Sequence, residues 1–140
     1  MTGGPRVIAL ALIVHPKRGD LFVSDLYDRI KCERFHRPPG GGVEFGETAA
    51  EALEREFLEE FGACVTVCER IHVVENLFEY DGRAGHEIML VHRAHFDDPG
   101  VYALDLVPDI ERGRGHGVWR PRSLTATECP LFPEVLLDAF

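Results

Sequence analysis

Positive charge is scarce in this chain. Lys and Arg total 15 against 24 Asp and Glu, for a formal net charge of −9. Such a chain lacks the basic stripe that phosphate backbones need, so nucleic acid is not an expected partner. A polyanionic small molecule would need a bound cation between itself and the protein. Cysteine is sparse and scattered: Cys32, Cys64, Cys68 and Cys129 form no C-x-x-C pair. That spacing excludes a zinc knuckle and a thioredoxin-type site. It predicts a reducing cytoplasm, with the thiols used as small core hydrophobes. Long apolar runs are also missing. Residues 7–14 are too few to span a bilayer and carry no cleavage signal, so neither a membrane nor a secreted setting is expected. No repeat, low-complexity tract or linker divides the 140 residues, which fit one domain, 1–140. The phosphate-loop, esterase and EF-hand patterns are absent. His86-Glu87 opens like a zinc-protease helix, but Leu90 stands where the second histidine belongs.

What is present reads as alternating strands around one strong helix. RVIALALIV, from Arg6, is apolar and β-branched without alternation, the pattern of a strand buried on both faces. LFVSDL follows a turn at residues 15–20 and predicts a hairpin with the first strand. ACVTVCERIHVVENLFEY reads as a long or bent strand, with HEIMLVHRAHF as its antiparallel partner across a loop at Asp81-Gly82 and Gly85. HGVWRP is a last short strand, and PEVLLDAF, with Pro133 in its first turn, predicts a C-terminal helix. The pattern amounts to a mixed sheet with helices packed on it, an α/β fold.

The helix carries the chemistry. Pro38, Pro39 and Gly40 to Gly42 keep the chain extended, and then Thr48 and Glu51 form a capping box. Residues 49–61 hold no Gly, Pro or β-branched side chain, and Gly62 is a natural stop. At about 100° per residue, with Glu56 as zero, Glu60 lies near +40° and Glu59 near −60°. These three carboxylates share a face beside an apolar stripe of Ala50, Leu53, Phe57 and Phe61. Glu51 and Glu54 fall to capping and surface positions. Like charges four residues apart destabilise a bare helix by a few tenths of a kcal/mol. A hard divalent cation removes that cost, since Mg²⁺ prefers carboxylate and carbonyl oxygens. A plain solvated acidic face is the alternative.

The offsets between loop and helix decide between the two. Gly41, Glu47, Arg55, Glu56, Glu59, Glu60 and Gly62 spell G-x5-E-x7-R-E-x-x-E-E-x-G. This resembles the Nudix box, here residues 41–63, with Phe57 and Ala63 at its two aliphatic positions. The approach Arg37-Pro38-Pro39-Gly40-Gly41 and the segment around Trp119 also look like small stand-alone Nudix hydrolases. The resemblance implies a Nudix-type α/β/α sandwich with a mixed β-sheet. It also implies metal-dependent hydrolysis of a pyrophosphate bond in a nucleoside diphosphate linked to another moiety. By that resemblance Glu56, Glu59 and Glu60 look like ligands of Mg²⁺ or Mn²⁺, with the Gly41 carbonyl as an addition. Arg55 resembles the arginine that orients loop and helix, with Glu47 and Glu59 as its partners and Glu44 in support. The metal would neutralise and position the pyrophosphate, while a carboxylate or the metal activates water for in-line attack. Glu56 or Glu59 is the candidate base within the box; Glu87 and Glu111 are candidates for a base or extra ligand outside it.

The remaining signals are weaker. Arg37, with Arg34 and Arg83, could meet phosphates, and Phe35, Phe78 and Tyr80 could stack on a base; each could equally be a rim charge or a core aromatic. The hairpin around ENLFEYDGRAGHE either contacts substrate or simply connects strands. Arg112, Arg114 and His116 read as a solvated basic loop. His92 and His95 differ in strand parity and read as structural histidines on opposite faces. A nucleotide is the expected partner, from ADP-ribose, a nucleotide sugar, a dinucleoside polyphosphate or a nucleoside triphosphate, and a homodimer is left open. A catalytically silent Nudix-like regulatory module is the alternative, disfavoured because every box carboxylate is intact. A structural Ca²⁺ site is disfavoured by the lack of an oxygen-rich loop.

Overall fold

The computed structural model describes residues 3–112 and 115–138. Strand β1 (Arg6–Leu12) is the axis of the molecule. Its alternate side chains enter two different cores. Ala9, Ala11 and Ile13 face one cluster, and Ile8, Leu10 and Leu12 face the other. That is why the run shows no polar alternation: both faces of the strand are buried. β1 lies between β4 (Gly40–Gly42), antiparallel, and β6 (Arg83–Phe96), parallel. The sheet order is β4-β1-β6-β5, with β5 spanning Val65–Tyr80, so this sheet is mixed.

The first two strands do not form the expected hairpin. β2 (Leu21–Asp28) meets the end of β1 at a single bridge, Val14 to Leu21. Both sides of β1 are already taken by β4 and β6, so the chain crosses into a second sheet. There β2 pairs with β3 (Glu33–Arg37) and β8 (Gly117–Arg120), in the order β3-β2-β8-β7, with β7 at Leu106–Val107. Burial of Leu21, Phe22 and Val23 rewards that crossing.

Helix α1 (Ala49–Phe61) keeps its expected bounds and its capping box. The Thr48 hydroxyl accepts from the Glu51 N–H at 3.1 Å, and the Glu51 carboxylate accepts from the Thr48 N–H at 2.9 Å. Gly62 ends the helix at φ 65°, a left-handed conformation. Ala52, Leu53, Phe57 and Phe61 pack on Ala9, Ala11 and Phe22, where the small β1 residues let the helix approach closely.

β5 and β6 form one long hairpin whose turn is Asp81-Gly82 alone, both at positive φ. Gly85 lies inside β6, opposite Phe78, and is not part of the loop. β5 is indeed irregular, with register shifts between Val67 and His72. The C-terminal segment is a 3₁₀ turn, Glu134–Asp138, and not an α-helix. The Leu136 N–H reaches back three residues to the Pro133 carbonyl, and so short a segment cannot repay α-helix nucleation. α1 is therefore the single α-helix among the described residues. Before that turn, residues 130–132 run beside β3: the His36 N–H donates to Pro130, and the Phe132 N–H donates to His36. The thiols depart from expectation. Cys32, Cys64 and Cys68 are exposed, and only Cys129 is buried. Cys32 sits in a turn, Cys64 in the connector after α1 and Cys68 on the edge strand β5, outside the apolar faces that fill the cores. No described helix is long and apolar enough to cross a membrane.

Candidate active site

The helix meets the glycine strand along one row of side chains. Ala52, Glu56 and Glu60 stand four residues apart, and Ala52 is fully buried. The row therefore continues the packed surface toward β4 and carries two carboxylates into it. At Gly41 there is no room for a side chain: a Cβ would overlap the Glu56 carboxylate. The expected apolar stripe is correspondingly wider, with Ala49 and Ala52 buried and Ala50 only half-buried.

Arg55 is the hub of the acidic cluster. Its Nε and Nη2 donate to the two oxygens of Glu47, at 2.8 and 2.9 Å. Nη2 also donates to the Gly42 carbonyl at 2.9 Å, which ties the loop to the helix. Nη1 lies 3.0 Å from Glu56, 3.5 Å from Glu59 and 3.9 Å from Glu44. Partnership with Glu47 and Glu59, with Glu44 in support, was implied by the Nudix-box resemblance; the Glu56 and Gly42 contacts were not. Hydrogen bonds from Arg55 hold the Glu47 carboxyl down at about 2, and those carboxylates in turn raise Arg55.

Glu60 has no such partner. Among the described residues no ion pair or hydrogen bond engages its carboxylate. Burial, then Asp109, Glu56 and Glu111, push its carboxyl up to about 7, with Arg112 opposing. Burial also raises Glu56, against the pull of Arg55. Asp109, which the sequence did not single out, is buried, and its Oδ1 accepts from the Glu111 and Arg112 N–H groups at 2.9 Å. The next N–H, from Ile110, caps the Glu60 carbonyl at 2.7 Å. A D-x-x-R turn after a two-residue strand gave no local signal of this docking.

Glu56, Glu60, Gly41 and Asp109 line a cleft of about 650 Å³. Phe35, Phe78, Tyr80 and Phe132 line the same cleft, as do Arg37 and Glu87. Phe35 lies 5.6 Å edge-on to Tyr80 and 5.7 Å from Phe132. The Phe78 ring also packs over Gly85 across the hairpin. Arg37 Nη2 donates to Glu87 at 3.0 Å. Several other candidates stand apart. Glu59 is half-exposed beside Arg55, and Glu111 lies 3.7 Å from Arg112, neither in the cleft wall. Arg34 is held by Asp25 at 2.6 and 3.0 Å, and Arg83 is exposed. Arg112 lines the cleft, His116 is exposed, and Arg114 lies outside the described residues. His92 is buried against the Cys68 carbonyl and His95 is exposed, on opposite faces.

The family model described as NUDIX domain matches residues 4–121. The chain belongs to the Nudix family. Nudix enzymes are hydrolases of pyrophosphate bonds, generally depend on a divalent metal, and take nucleotide-type substrates. Among solved structures the chain is similar to the E. coli ORF135 protein, at 26% identity, 100% of this chain, 92% of that one and a TM-score of 0.56. It is also similar to a MutT Nudix hydrolase from Burkholderia pseudomallei, at 23% identity, 88% of each chain and a TM-score of 0.65. An ADP-ribose pyrophosphatase from Streptococcus suis shares the fold at 10% identity, with 92% of this chain and 81% of that one covered and a TM-score of 0.57. The donors of this Nudix domain fit a hard divalent cation in kind. They are all oxygens, and Glu56 and Glu60 carry charge that the protein itself neutralises only in part. As ordered here, no three acidic, histidine or cysteine side chains among the described residues converge into a finished ligand cage.

Proposed function

We propose that this Nudix domain hydrolyses a nucleoside diphosphate derivative, with Mg²⁺ or Mn²⁺ held by Glu56 and Glu60, Glu59 completing the set and the Gly41 carbonyl beside them. The observation that carries this reading is the cleft, whose lining includes both two carboxylates raised by burial and a cluster of aromatic rings. When bound, the cation would offset pyrophosphate charge and polarise the scissile phosphoryl group. The chain's own residues do the rest. Arg55 holds loop and helix together through Glu47 and the Gly42 carbonyl, so that Glu56 and Glu60 keep their places. Glu56, raised by burial yet hydrogen-bonded by Arg55, is the base candidate that lines the cleft. Glu59 is more exposed and turned to Arg55. The Phe35, Tyr80 and Phe132 rings offer a nucleobase a stacking surface. The whole is read as a single cytoplasmic domain. The test is a screen of ADP-ribose, nucleotide sugars, dinucleoside polyphosphates and nucleoside triphosphates with Mg²⁺ and Mn²⁺, reading phosphate or nucleotide release. At least one class should turn over, and Glu56→Gln and Glu60→Gln should each lower its turnover at least tenfold. Wild-type rates in both variants would refute the assignment of this face.

A further inference from the structure

One ion pair in the cleft wall joins the two sheets. Arg37 ends β3 in the second sheet, and Glu87 belongs to β6 in the first. Glu87 is buried, so its carboxylate would be costly there without a partner. Among the described residues its partner is Arg37, through one hydrogen bond from Nη2 at 3.0 Å. A guanidinium has five N–H donors in a fixed plane. With one of them committed to Glu87 and a quarter of the side chain still accessible in the cleft wall, Arg37 has donors left for a ligand. Arg6, the register neighbour of Glu87 on β1, adds a second positive charge to the same wall.

Arg37 and Phe35 have the same strand parity and line the same cleft, roughly 7 Å apart along β3. Phe35 touches the aromatic cluster, whereas Arg37 feels the charge of Glu60. A guanidinium that shares its strand and cleft with the stacking ring of Phe35, and feels Glu60, can receive the phosphate attached to a stacked nucleoside.

Building on the proposed function, we propose that Arg37 receives the phosphate next to the nucleoside, and that Glu87 is the positioning residue that holds Arg37 there and is not a base. A base needs a lone pair free to accept a proton from water in the cleft. Glu87 instead spends its charge on an arginine, and that contact fixes which way the remaining guanidinium donors face.

The test is made first without metal or turnover. In EDTA, wild type and variants are titrated by calorimetry with the four common nucleosides and their 5′-monophosphates. Wild type should bind at least one monophosphate tenfold or more tighter than its nucleoside. Arg37→Ala and the isosteric Glu87→Gln should both erase that preference, and Arg37→Lys should keep part of it. A wild type that binds the two alike, or an Arg37→Ala variant that keeps the full preference, overturns the proposal. On a nucleotide that wild type hydrolyses, Glu87→Gln should raise KM about tenfold, change kcat less than threefold and leave the acid limb of the kcat–pH profile in place. A hundredfold loss of kcat at unchanged KM, with that limb gone, would make Glu87 the base and end this account. Failure of every nucleotide in the turnover screen would instead sink the hydrolase reading, with the monophosphate preference still measurable by itself.

Discussion

At the scale of single residues, Glu60 concentrates the chain's excess of acid. It lies in a partly buried row against β4, faces Asp109, Glu56 and Glu111, and has no ion pair among the described residues. Burial, and then the charge of Asp109, push its carboxyl up to about 7, against about 4.5 for a free glutamate. The fold therefore prefers the protonated form. That preference contributes fully below pH 4.5 and is lost as pH rises through 7, so ionised Glu60 destabilises the metal-free protein above neutrality. At 1.36 kcal/mol per unit, a rise from about 4.5 to about 7 makes the penalty about 3 kcal/mol. Glutamine at this site carries no such charge. In EDTA, Glu60→Gln should unfold at higher denaturant than wild type at pH 8, and the gap should close between pH 7 and 4.5. A gap that stays constant across that range would show that Glu60 is not perturbed. Glu47 is the opposite case: both of its oxygens accept from the Arg55 guanidinium, which holds its carboxyl low.

At the scale of elements, the loop and α1 act as one unit whose stability and chemistry can be separated by mutation. Gly62→Ala puts a side chain at φ 65° and should cost about 1 kcal/mol with turnover intact. Gly41→Ala should do the reverse. Its new Cβ meets the movable end of Glu56 and not backbone, so the carboxylate is pushed aside, turnover falls at least tenfold and Tm shifts little. Equal Tm losses in the two variants would contradict this division. The unit was legible in the sequence because its signals are local: a capping box, an unbroken run of helix formers and a stop glycine, all within one turn of their partners. The apparent hairpin of β1 and β2 misled because periodicity reports burial, not which neighbour supplies it. Residues 134–138 carried a helix's apolar pattern without a helix's length, and they settled into 3₁₀ turns.

At the scale of the molecule, the cleft is built from residues far apart in sequence. Helical spacing grouped Glu56, Glu59 and Glu60, and the Nudix-box resemblance added Gly41; of these, Glu56, Glu60 and Gly41 line the cleft. Asp109 and Phe132 were not legible in the sequence, because each reaches the cleft through a backbone docking: the Ile110 N–H on Glu60 and the pairing of residues 130–132 with His36. The Arg37–Glu87 pair bridges 50 residues and two sheets, beyond any local pattern. An unmet need for positive charge at Glu56 and Glu60 is the central claim, and metal-linked stability tests it most directly. Ligand that binds only the folded state adds about 2.7 kcal/mol at a hundred times its Kd. Saturating Mg²⁺ at pH 7.5 should therefore raise the Tm of the wild type by roughly 5 °C or more. Glu56→Gln and Glu60→Gln should each lose at least half of that rise, while Glu54→Gln, on the exposed side of α1, keeps it. Equal rises in all four proteins would place the cation elsewhere and contradict the account.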